Sequence, residues 1–455
     1  MMPVRRPTQT GGLLPTHSMN PATKSAGRPL RVAVVSAVFP PEFTYSARTS
    51  GNIAEQLAAD GHEVTVYASF PSKPAGRLFP GVHRKLYATT RERGYKRVRC
   101  FSLLAPESRI LSRFAENTSF GLISALRLLI SPKPDVIYSN TWPIFATAMV
   151  ALVARLRRIP LVISVQDVYP ECLSIQGRIS QTSVAAHLLR RIDRWNAHSA
   201  KELIVLSDRF RELYQHSREV PASHLHVIQN WGERSSIVND QPACKAYRRS
   251  HGIPENAFVL TYAGNIGPAA GVEGLLEAFA QVQDRENLYL LIAGSGARLE
   301  SVRAMARRMK CVRVIFHTPW LEEETSTVLG SSDALLLPTV GTQSLVSVPS
   351  KIISYFLAGR PVIACVLPQS ETAWIIREAS AGWVVDPENP AALANAFLAA
   401  ANADSDYLKK MGAQARDYAA KNLSRESNLP RVLHLLYSAA AHEGGPAPAG
   451  IEEYQ

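Results

Sequence analysis

The sequence predicts an α/β protein made of two doubly wound domains that face each other across a central cleft. Apolar runs of strand length alternate with helical patterns along residues 31–229, which is typical of a parallel sheet covered by helices on both faces. The same alternation begins again after residue 230 and so indicates a second, Rossmann-like unit. A composition of 46% hydrophobic and 19% charged residues is that of a folded globular chain.

The first half begins with the continuous apolar run 31–38, which predicts a strand buried on both faces. A proline-rich turn follows, and then a helix over 47–59 that ends near Gly61, a residue suited to a left-handed cap. The next strand is predicted at 62–69. Further strands are predicted at 97–103, 135–139, 160–165, 202–206 and 225–229, and helices at 118–130, 143–157 and 183–199.

The second half is separated from the first by residues 239–250, which are polar and contain Pro242, so we predict a hinge or inter-domain loop there. Open α/β sheets bind ligands at the carboxyl ends of their strands, and the cleft between the two sheets is therefore the expected site. The strands are predicted at 257–262, 288–293, 312–316, 334–338, 361–364 and 383–385, and the helices at 271–283, 298–308, 322–329, 350–358, 371–378, 390–402, 405–421 and 425–440.

Cysteine usage and hydropathy indicate where the protein works. Five cysteines lie far apart without a Cys-x-x-Cys spacing, so we expect neither a disulfide framework nor a zinc site, and a reducing, cytoplasmic compartment is favoured. The longest nearly uncharged apolar run, 142–154, is too short to span a bilayer. The sequence therefore predicts a protein that is soluble or at most peripheral on a membrane.

The net charge of +12 is concentrated in one stretch. Between Lys73 and Arg113 there are eleven Lys and Arg residues against two Glu, with aromatic residues interleaved. No nucleic-acid-binding motif accompanies them, so nucleic acid is not an expected partner. Two interpretations remain open, a solvated excursion from the domain and a basic-aromatic face for anionic lipid or a lipid-linked pyrophosphate, and we favour the second.

Two glycine-rich turns, at 264–267 and 294–296, follow the first two predicted strands of the second domain. Glycine lets backbone amides approach a phosphate, and a helix N-terminus adds partial positive charge. An ordinary tight turn explains the first equally well, while the second lacks the third glycine of the dinucleotide fingerprint and suits a base- or ribose-facing loop. The candidate binding residues in these turns are Gly264, Asn265, Gly267, Gly294, Ser295 and Gly296.

Ser350 and Lys351 open a predicted helix of the second domain. A lysine in the first turn opposes the helix dipole, and this cost is easier to understand if an anion lies there. A capping role would explain Ser350 but not Lys351. We therefore predict an anion site at these two residues.

The polar turn 166–171 follows the predicted strand 160–165 and contains Gln166, Asp167 and Glu171. Two carboxylates at the carboxyl end of a strand face the expected cleft, where one could orient a substrate hydroxyl or act as a base. The alternative is a capping Asp and a surface Glu. That alternative is favoured for Glu171 and disfavoured for Asp167.

These segments, in this order, resemble the family-4 retaining glycosyltransferases of the GT-B fold, and among them the WbuB/WcaI-like enzymes of exopolysaccharide and O-antigen biosynthesis. The resemblance covers roughly residues 31–435. It implies transfer from a nucleoside-diphosphate sugar to a lipid-linked or glycan acceptor, with retention and without a metal or other cofactor. The matching segments are 39–42, 61–66, 133–137, 159–160, 166–171, 262–267, 292–296, 349–351 and 358–363.

The resemblance also implies a domain organisation. Residues 30–235 would form the acceptor-side domain, 236–424 the nucleotide-sugar-binding domain, and 425–441 a helix that crosses back to the first domain. Residues 1–29 and 442–455 remain as a disordered extension and a disordered tail. Because the acceptor-side domain of such enzymes commonly meets a lipid-linked glycan, we expect peripheral association with the cytosolic face of the inner membrane.

The chain departs from the wider family at several positions. Asn265 and Ala270 stand where an Arg and a Lys touch the donor phosphates, and Val346 and Ser354 replace two glutamates that contact sugar and ribose. Gln166 replaces a histidine on the acceptor side.

Lys351 is then the best remaining counter-charge for a leaving diphosphate, and Asp167 would assist the acceptor. Both are predicted to be catalytic residues, with Gln166 and Glu171 beside Asp167 on the acceptor side. Two alternatives stay open. One is a non-catalytic subunit of a polysaccharide assembly complex, and the other is a nucleotide-sugar 2-epimerase, whose acid/base pairs the donor half does not show.

Overall fold

The protein folds into two parallel sheets, each covered by helices on both faces, as the sequence predicts. The computed structural model describes residues 28–73, 76–105, 110–140, 144–175, 177–233, 237, 240–268, 270–345 and 348–441. Nearly all of the predicted N-terminal extension, the whole predicted tail and Val346 lie outside these residues.

The first sheet has eight strands in the order β3-β4-β2-β1-β5-β6-β7-β8. All neighbours are parallel except β3 and β4. β1 lies between β2 and β5, which explains the continuous apolar run at its position. The strands are β1 (Arg31–Val35), β2 (Glu63–Ser69), β3 (Tyr87–Glu92), β4 (Tyr95–Cys100), β5 (Val136–Asn140), β6 (Leu161–Ser164), β7 (Glu202–Val205) and β8 (Leu225–Val227). The helices are α1 (Tyr45–Ala59), α2 (Ile110–Ile130), α3 (Ile144–Arg157), α4 (Glu171–Ile175), α5 (Val184–Ser199) and α6 (Asp208–Ser217).

The basic stretch forms part of the sheet, so its interpretation as a solvated excursion is wrong for residues 87–100. β3 and β4 form an antiparallel hairpin at the sheet edge. Several cations of the basic stretch donate hydrogen bonds within the protein, because buried carbonyl and carboxylate oxygens need donors. The Arg99 guanidinium, for example, donates to the carbonyl oxygens of Ser69 at 2.7 Å and Pro40 at 2.6 Å. Lys73 is buried and donates to Glu116.

The second sheet has six parallel strands in the order β11-β10-β9-β12-β13-β14. The strands are β9 (Phe258–Ala263), β10 (Leu288–Ala293), β11 (Val314–His317), β12 (Ala334–Pro338), β13 (Val362–Cys365) and β14 (Gly382–Val385). The helices are α7 (Gln241–Ser250), α8 (Val272–Ala280), α9 (Leu299–Arg308), α10 (Thr325–Gly330), α11 (Lys351–Leu357), α12 (Glu371–Glu378), α13 (Pro390–Ala401), α14 (Ser405–Asn422) and α15 (Arg425–Ala440).

The predicted hinge or loop at 239–250 is wrong, because α7 occupies most of it. Asp240 caps this helix by accepting a hydrogen bond from the Ala243 amide at 3.1 Å. Pro242 falls in the first turn, where a missing amide hydrogen costs nothing. The proline that suggested a loop is therefore a helix-start residue.

The last helix, α15, packs on the first domain. Leu433 and Leu436 are fully buried in the same apolar cluster as Val34 and Val66. The chain passes between the two halves at two adjacent points, since the Gly232 amide donates to the Leu423 carbonyl oxygen at 3.0 Å. The two halves are therefore joined by paired crossings. In the described part of the chain, no helix is both long and apolar enough to cross a membrane.

Candidate active site

A crevice opens at the centre of the second sheet, where the strand order reverses direction. β9 and β12 pair over two residues only, Leu260 with Ala334 and Thr261 with Leu335. Beyond this point the Tyr355 hydroxyl from α11 fills the gap, accepting from the Ala263 amide at 3.0 Å. Doubly wound sheets bind ligands at such a position, outside the carboxyl ends of the diverging strands.

Lys351 lies one turn before Tyr355 on α11, at this reversal point. Its ammonium is 4.7 Å from the centroid of the Tyr262 ring. Burial lowers the pKa of Lys351 to about 8, and no carboxylate among the described residues forms an ion pair with it. Ser350 makes no side-chain capping hydrogen bond, so the capping interpretation is wrong. A sheltered cation that lacks an anionic partner among the described residues is suited to bind an anion.

The first glycine-rich turn leaves space for the Lys351 side chain. Gly264 has a φ of 148°, and a Cβ there would lie 2.2 Å from the Cε atom of Lys351. Gly294 has a φ of 149°, and its Cβ would lie 1.9 Å from the Gly264 carbonyl oxygen. These glycines allow the two turns and the lysine to pack against one another.

The turns differ from the prediction in which amides they leave available. The Gly264 amide donates to Ala293 at 2.9 Å and the Gly294 amide to His317 at 3.0 Å, because the parallel ladder continues one residue past each strand. These two glycines therefore shape the site without offering donors to a phosphate. Within the described chain, four predicted amides donate to no other residue, namely those of Asn265, Gly267, Ser295 and Gly296.

Asp167 belongs to the first half of the chain, in the turn that follows β6. Its carboxylate is half-buried and makes no hydrogen bond to another described residue. Burial raises the pKa of Asp167 to about 6. Its neighbour Gln166 donates to the Ser164 hydroxyl at 3.0 Å and accepts from the Asn230 amide at 2.8 Å. The turn thus offers one carboxylate that is free to accept a proton or a hydrogen bond.

Glu171 has a structural partner that the sequence did not predict. Both of its carboxylate oxygens accept from the Arg218 guanidinium, at 3.1 and 2.6 Å. Such a bidentate pair engages both carboxylate oxygens and fixes the start of α4. The acceptor-side role of Glu171 stays a prediction beside this structural role. The sequence offered no signal for this pair, since Arg218 stands 47 positions away.

One crevice lies between the domains, and Ser350 is the predicted site residue among those that line it. Asn230, the partner of Gln166, lines it from the first half, and Ser350, the neighbour of Lys351, lines it from the second. Tyr45 from α1 also crosses over, with its hydroxyl bonded to Ser354. Sequence reasoning did not find Asn230 or Tyr45, because neither belongs to a motif. The residues that line this crevice are Leu206, Gln229, Asn230, Val348, Pro349, Ser350, Ile352, Ile353 and Leu423.

Metal-ligating residues do not cluster in the part of the chain described. No group of three or more His, Cys, Asp or Glu side chains there could hold a metal ion. The five cysteines are all buried and unpaired.

Two doubly wound domains joined by paired crossings, with a sheltered lysine at the reversal point of the second, define a protein of the GT-B class. Comparison with known families agrees with this architecture. Residues 46–231 match the glycosyl transferase 4-like domain, and residues 257–402 match the glycosyl transferases group 1 domain. Together the two matches cover most of the chain, which therefore belongs to the GT-B glycosyltransferases with these two domains.

Known proteins are similar to this chain over 71% to 90% of its length. WcaI of Escherichia coli K12, named for colanic acid biosynthesis, is 24% identical over 89% of this chain and 99% of its own length. The glycosyltransferase WbjE of Pseudomonas aeruginosa is 26% identical over 71% of this chain and 80% of its own. The crystal structure of Anabaena HepE with UDP and glucose superposes with a TM-score of 0.66 at 16% identity, over 90% of this chain and all of HepE.

Proposed function

We propose that this protein transfers a sugar, with retention and without a metal, from a nucleoside-diphosphate sugar to a glycan or lipid-linked acceptor in bacterial surface polysaccharide synthesis. Lys351 carries the proposal, because a sheltered cation at the reversal point of the second sheet has no anion of its own. The relatives WcaI and WbjE and the UDP bound to HepE support the same substrate class.

The chemistry divides between the two halves. As the bond between sugar and diphosphate breaks, negative charge grows on the diphosphate, and the Lys351 ammonium stabilises it. The amides of Asn265, Gly267, Ser295 and Gly296 are available to the remaining phosphate and ribose oxygens. On the other side, Asp167 accepts a hydrogen bond from the acceptor hydroxyl and directs it toward the sugar.

Calorimetric titration with UDP, GDP, ADP and dTDP and their glucose or mannose conjugates tests the donor site. We expect at least one diphosphate to bind the wild type and binding to fall at least tenfold in Lys351→Ala. The matched control is Lys409→Ala, which removes an exposed lysine paired with Asp406 on α14. If no nucleotide binds the wild type at millimolar concentration, the protein is a non-catalytic subunit and the transferase proposal is wrong.

We also propose that the first domain docks on an anionic membrane through α2 and α3. The two helices run side by side, because a Cβ on Gly121 would lie 2.6 Å from the Ala146 Cα atom, and Arg157 donates to the Leu128 carbonyl oxygen at 2.7 Å. Their outer faces carry large apolar side chains that no described residue covers. The exposed residues are Leu122, Leu126, Leu129, Ile130, Leu152 and Leu156.

Cations surround this apolar surface. Arg155 and Arg158 are exposed at the end of α3, Lys133 is exposed just after α2, and the Arg127 guanidinium lies 4.2 Å from the centroid of the Tyr87 ring. Apolar side chains that enter the headgroup region and cations that meet anionic lipid act together, each cation contributing about 1 kcal/mol. Such docking would bring the acceptor side of the cleft to a lipid-linked substrate.

Co-sedimentation with vesicles tests the docking. The wild type should bind phosphatidylglycerol vesicles more strongly than phosphatidylcholine vesicles, and the double variant Leu126→Ser, Leu156→Ser should lose most of this binding. Leu321→Ser, which alters an exposed leucine of the second domain, is the control. Equal binding by the double variant and the wild type would refute the docking surface but leave the donor site untouched.

A further inference from the structure

Arg218 is a fully buried cation at the end of α6, and most of its hydrogen bonds go to the turn that carries Asp167. Its two terminal nitrogens donate to both oxygens of Glu171, at 3.1 and 2.6 Å, and one of them also donates to the Tyr169 carbonyl oxygen at 2.5 Å. The Arg218 guanidinium therefore binds the turn 166–171 at Tyr169 and Glu171.

The other side of Arg218 is anchored in the helical layer. Its Nε atom donates to Asp193 of α5 at 2.8 Å, and the Tyr214 hydroxyl donates to the second oxygen of Asp193 at 2.9 Å. Burial works to lower the pKa of Arg218, but Glu171 and Asp193 overcome it and raise the pKa. The cation thus stays charged and links two helices to one turn.

We infer that Arg218 is a positioning residue that holds the turn 166–171 in place, so that the Asp167 carboxylate stays sheltered. The inference rests on the proposed function, in which Asp167 aligns the acceptor hydroxyl. Arg218 does not touch the substrate and acts only through the backbone of this turn and Glu171.

A purely structural ion pair is the competing explanation. Buried ion pairs of this kind are often no more stabilising than apolar side chains of the same size. A gain in stability alone therefore does not explain why one cation binds Glu171, Asp193 and the Tyr169 carbonyl oxygen. The two explanations differ in what they predict for Asp167. If Arg218 only stabilises the fold, cutting its link to the turn leaves the environment of Asp167 unchanged.

Glu171 is the right residue to alter, because changing Arg218 itself would leave Asp193 buried and unpaired and could prevent folding. We propose Glu171→Ala to release the turn and Glu171→Gln as the conservative variant, whose amide oxygen can still accept from Arg218. Arg194→Ala, which breaks an exposed ion pair with Glu219 near the same helices, is the matched control.

The readout is the pH at which the stability gained by Asp167→Asn, measured as the change in unfolding midpoint, stops increasing. In the wild-type background the gain should begin near pH 4, where the unfolded chain ionises, and level off near pH 6, where burial places the pKa of Asp167. The titratable neighbours Tyr169 and Cys172 stay neutral over this range, because burial raises the pKa of each above its ordinary value. In Glu171→Ala the gain should be smaller and should level off at least one pH unit lower, toward 4, while Glu171→Gln and Arg194→Ala should keep the levelling-off near 6.

Turnover gives the second readout once a donor is identified. Glu171→Ala should lower kcat at least tenfold with the KM for the nucleotide sugar unchanged, and Glu171→Gln should recover part of the loss. If the gain still levels off near pH 6 in folded Glu171→Ala, the positioning role is overturned. Because nucleotide binding depends on Lys351, calorimetry separates that outcome from a failure of the proposed function.

Discussion

Asp167 should make the protein less stable, and its replacement by asparagine should therefore stabilise the fold while removing activity. The half-buried carboxylate has no hydrogen-bond donor among the described residues, and burial raises its pKa from 3.8 to about 6. Each pKa unit is about 1.4 kcal/mol, so the ionised form costs up to about 3 kcal/mol, and roughly 1 to 2 kcal/mol once residual contact with water is allowed for.

The sign of the pH dependence follows from which state ionises first. Below about pH 4 the carboxyl is protonated in both states, and asparagine gives no advantage. Between 4 and 6 the unfolded chain releases its proton before the folded one, so wild-type stability falls as pH rises. Above 6 the full cost is present, and Asp167→Asn should be more stable than the wild type by roughly 1 to 2 kcal/mol.

Urea unfolding at pH 4, 5, 6 and 7.5 measures this difference, with the change assigned to the transition of the first domain. Asp406→Asn alters an exposed carboxylate on α14 and serves as a control without this pH dependence. The reasoning is refuted if Asp167→Asn is no more stable than the wild type at pH 7.5. A gain of equal size at pH 4 and 7.5 would show that the gain does not come from charge.

Three further predictions concern the donor site and the last helix. At pH 8 the binding of UDP should take up about half a proton, since an anion raises the pKa of Lys351. Calorimetry in two buffers of different ionisation enthalpy measures this proton uptake, and Lys351→Ala should show no uptake. Gly264→Ala should weaken UDP binding as much as Lys351→Ala although it removes no charge, because the new Cβ would displace the lysine; Gly274→Ala, with open space around it, should bind normally. Leu433→Ala should destabilise the first domain by about 2 to 5 kcal/mol and leave the second unchanged, as read from their separate unfolding transitions.

The sequence was most informative for strands that are buried on both faces of a sheet. β1 and β9 lie inside parallel sheets, and their continuous apolar runs could arise in few other ways. The edge strand β3 was missed, because the consecutive polar residues Thr89 to Glu92 on an exposed hairpin look like a polar loop. α7 was missed for a similar reason, since a polar helix that begins with proline has the composition of a linker.

The sequence pointed to individual candidate residues of the site but not to the contacts between them. Lys351 stood out because a lysine at a helix start is unfavourable, and the structure shows it sheltered and without an anionic partner among the described residues. The sequence favoured a surface position for Glu171 and a site role for Asp167, but only the fold shows that Arg218 pairs with Glu171 and not with Asp167. That choice depends on contacts between residues far apart in the chain, which local patterns do not contain.

The two groups without partners also set the pH range in which the protein should work. Asp167 must be ionised to accept a hydrogen bond and Lys351 protonated to hold a diphosphate, and burial places their pKa values at about 6 and about 8. The pH profile of kcat/KM should therefore be bell-shaped with limbs near these two values, since it reports the free enzyme. In kcat the acidic limb should remain, but the alkaline limb should move upward, because a bound diphosphate stabilises the protonated lysine. An alkaline limb at the same pH in both profiles would show that Lys351 does not contact the donor phosphates.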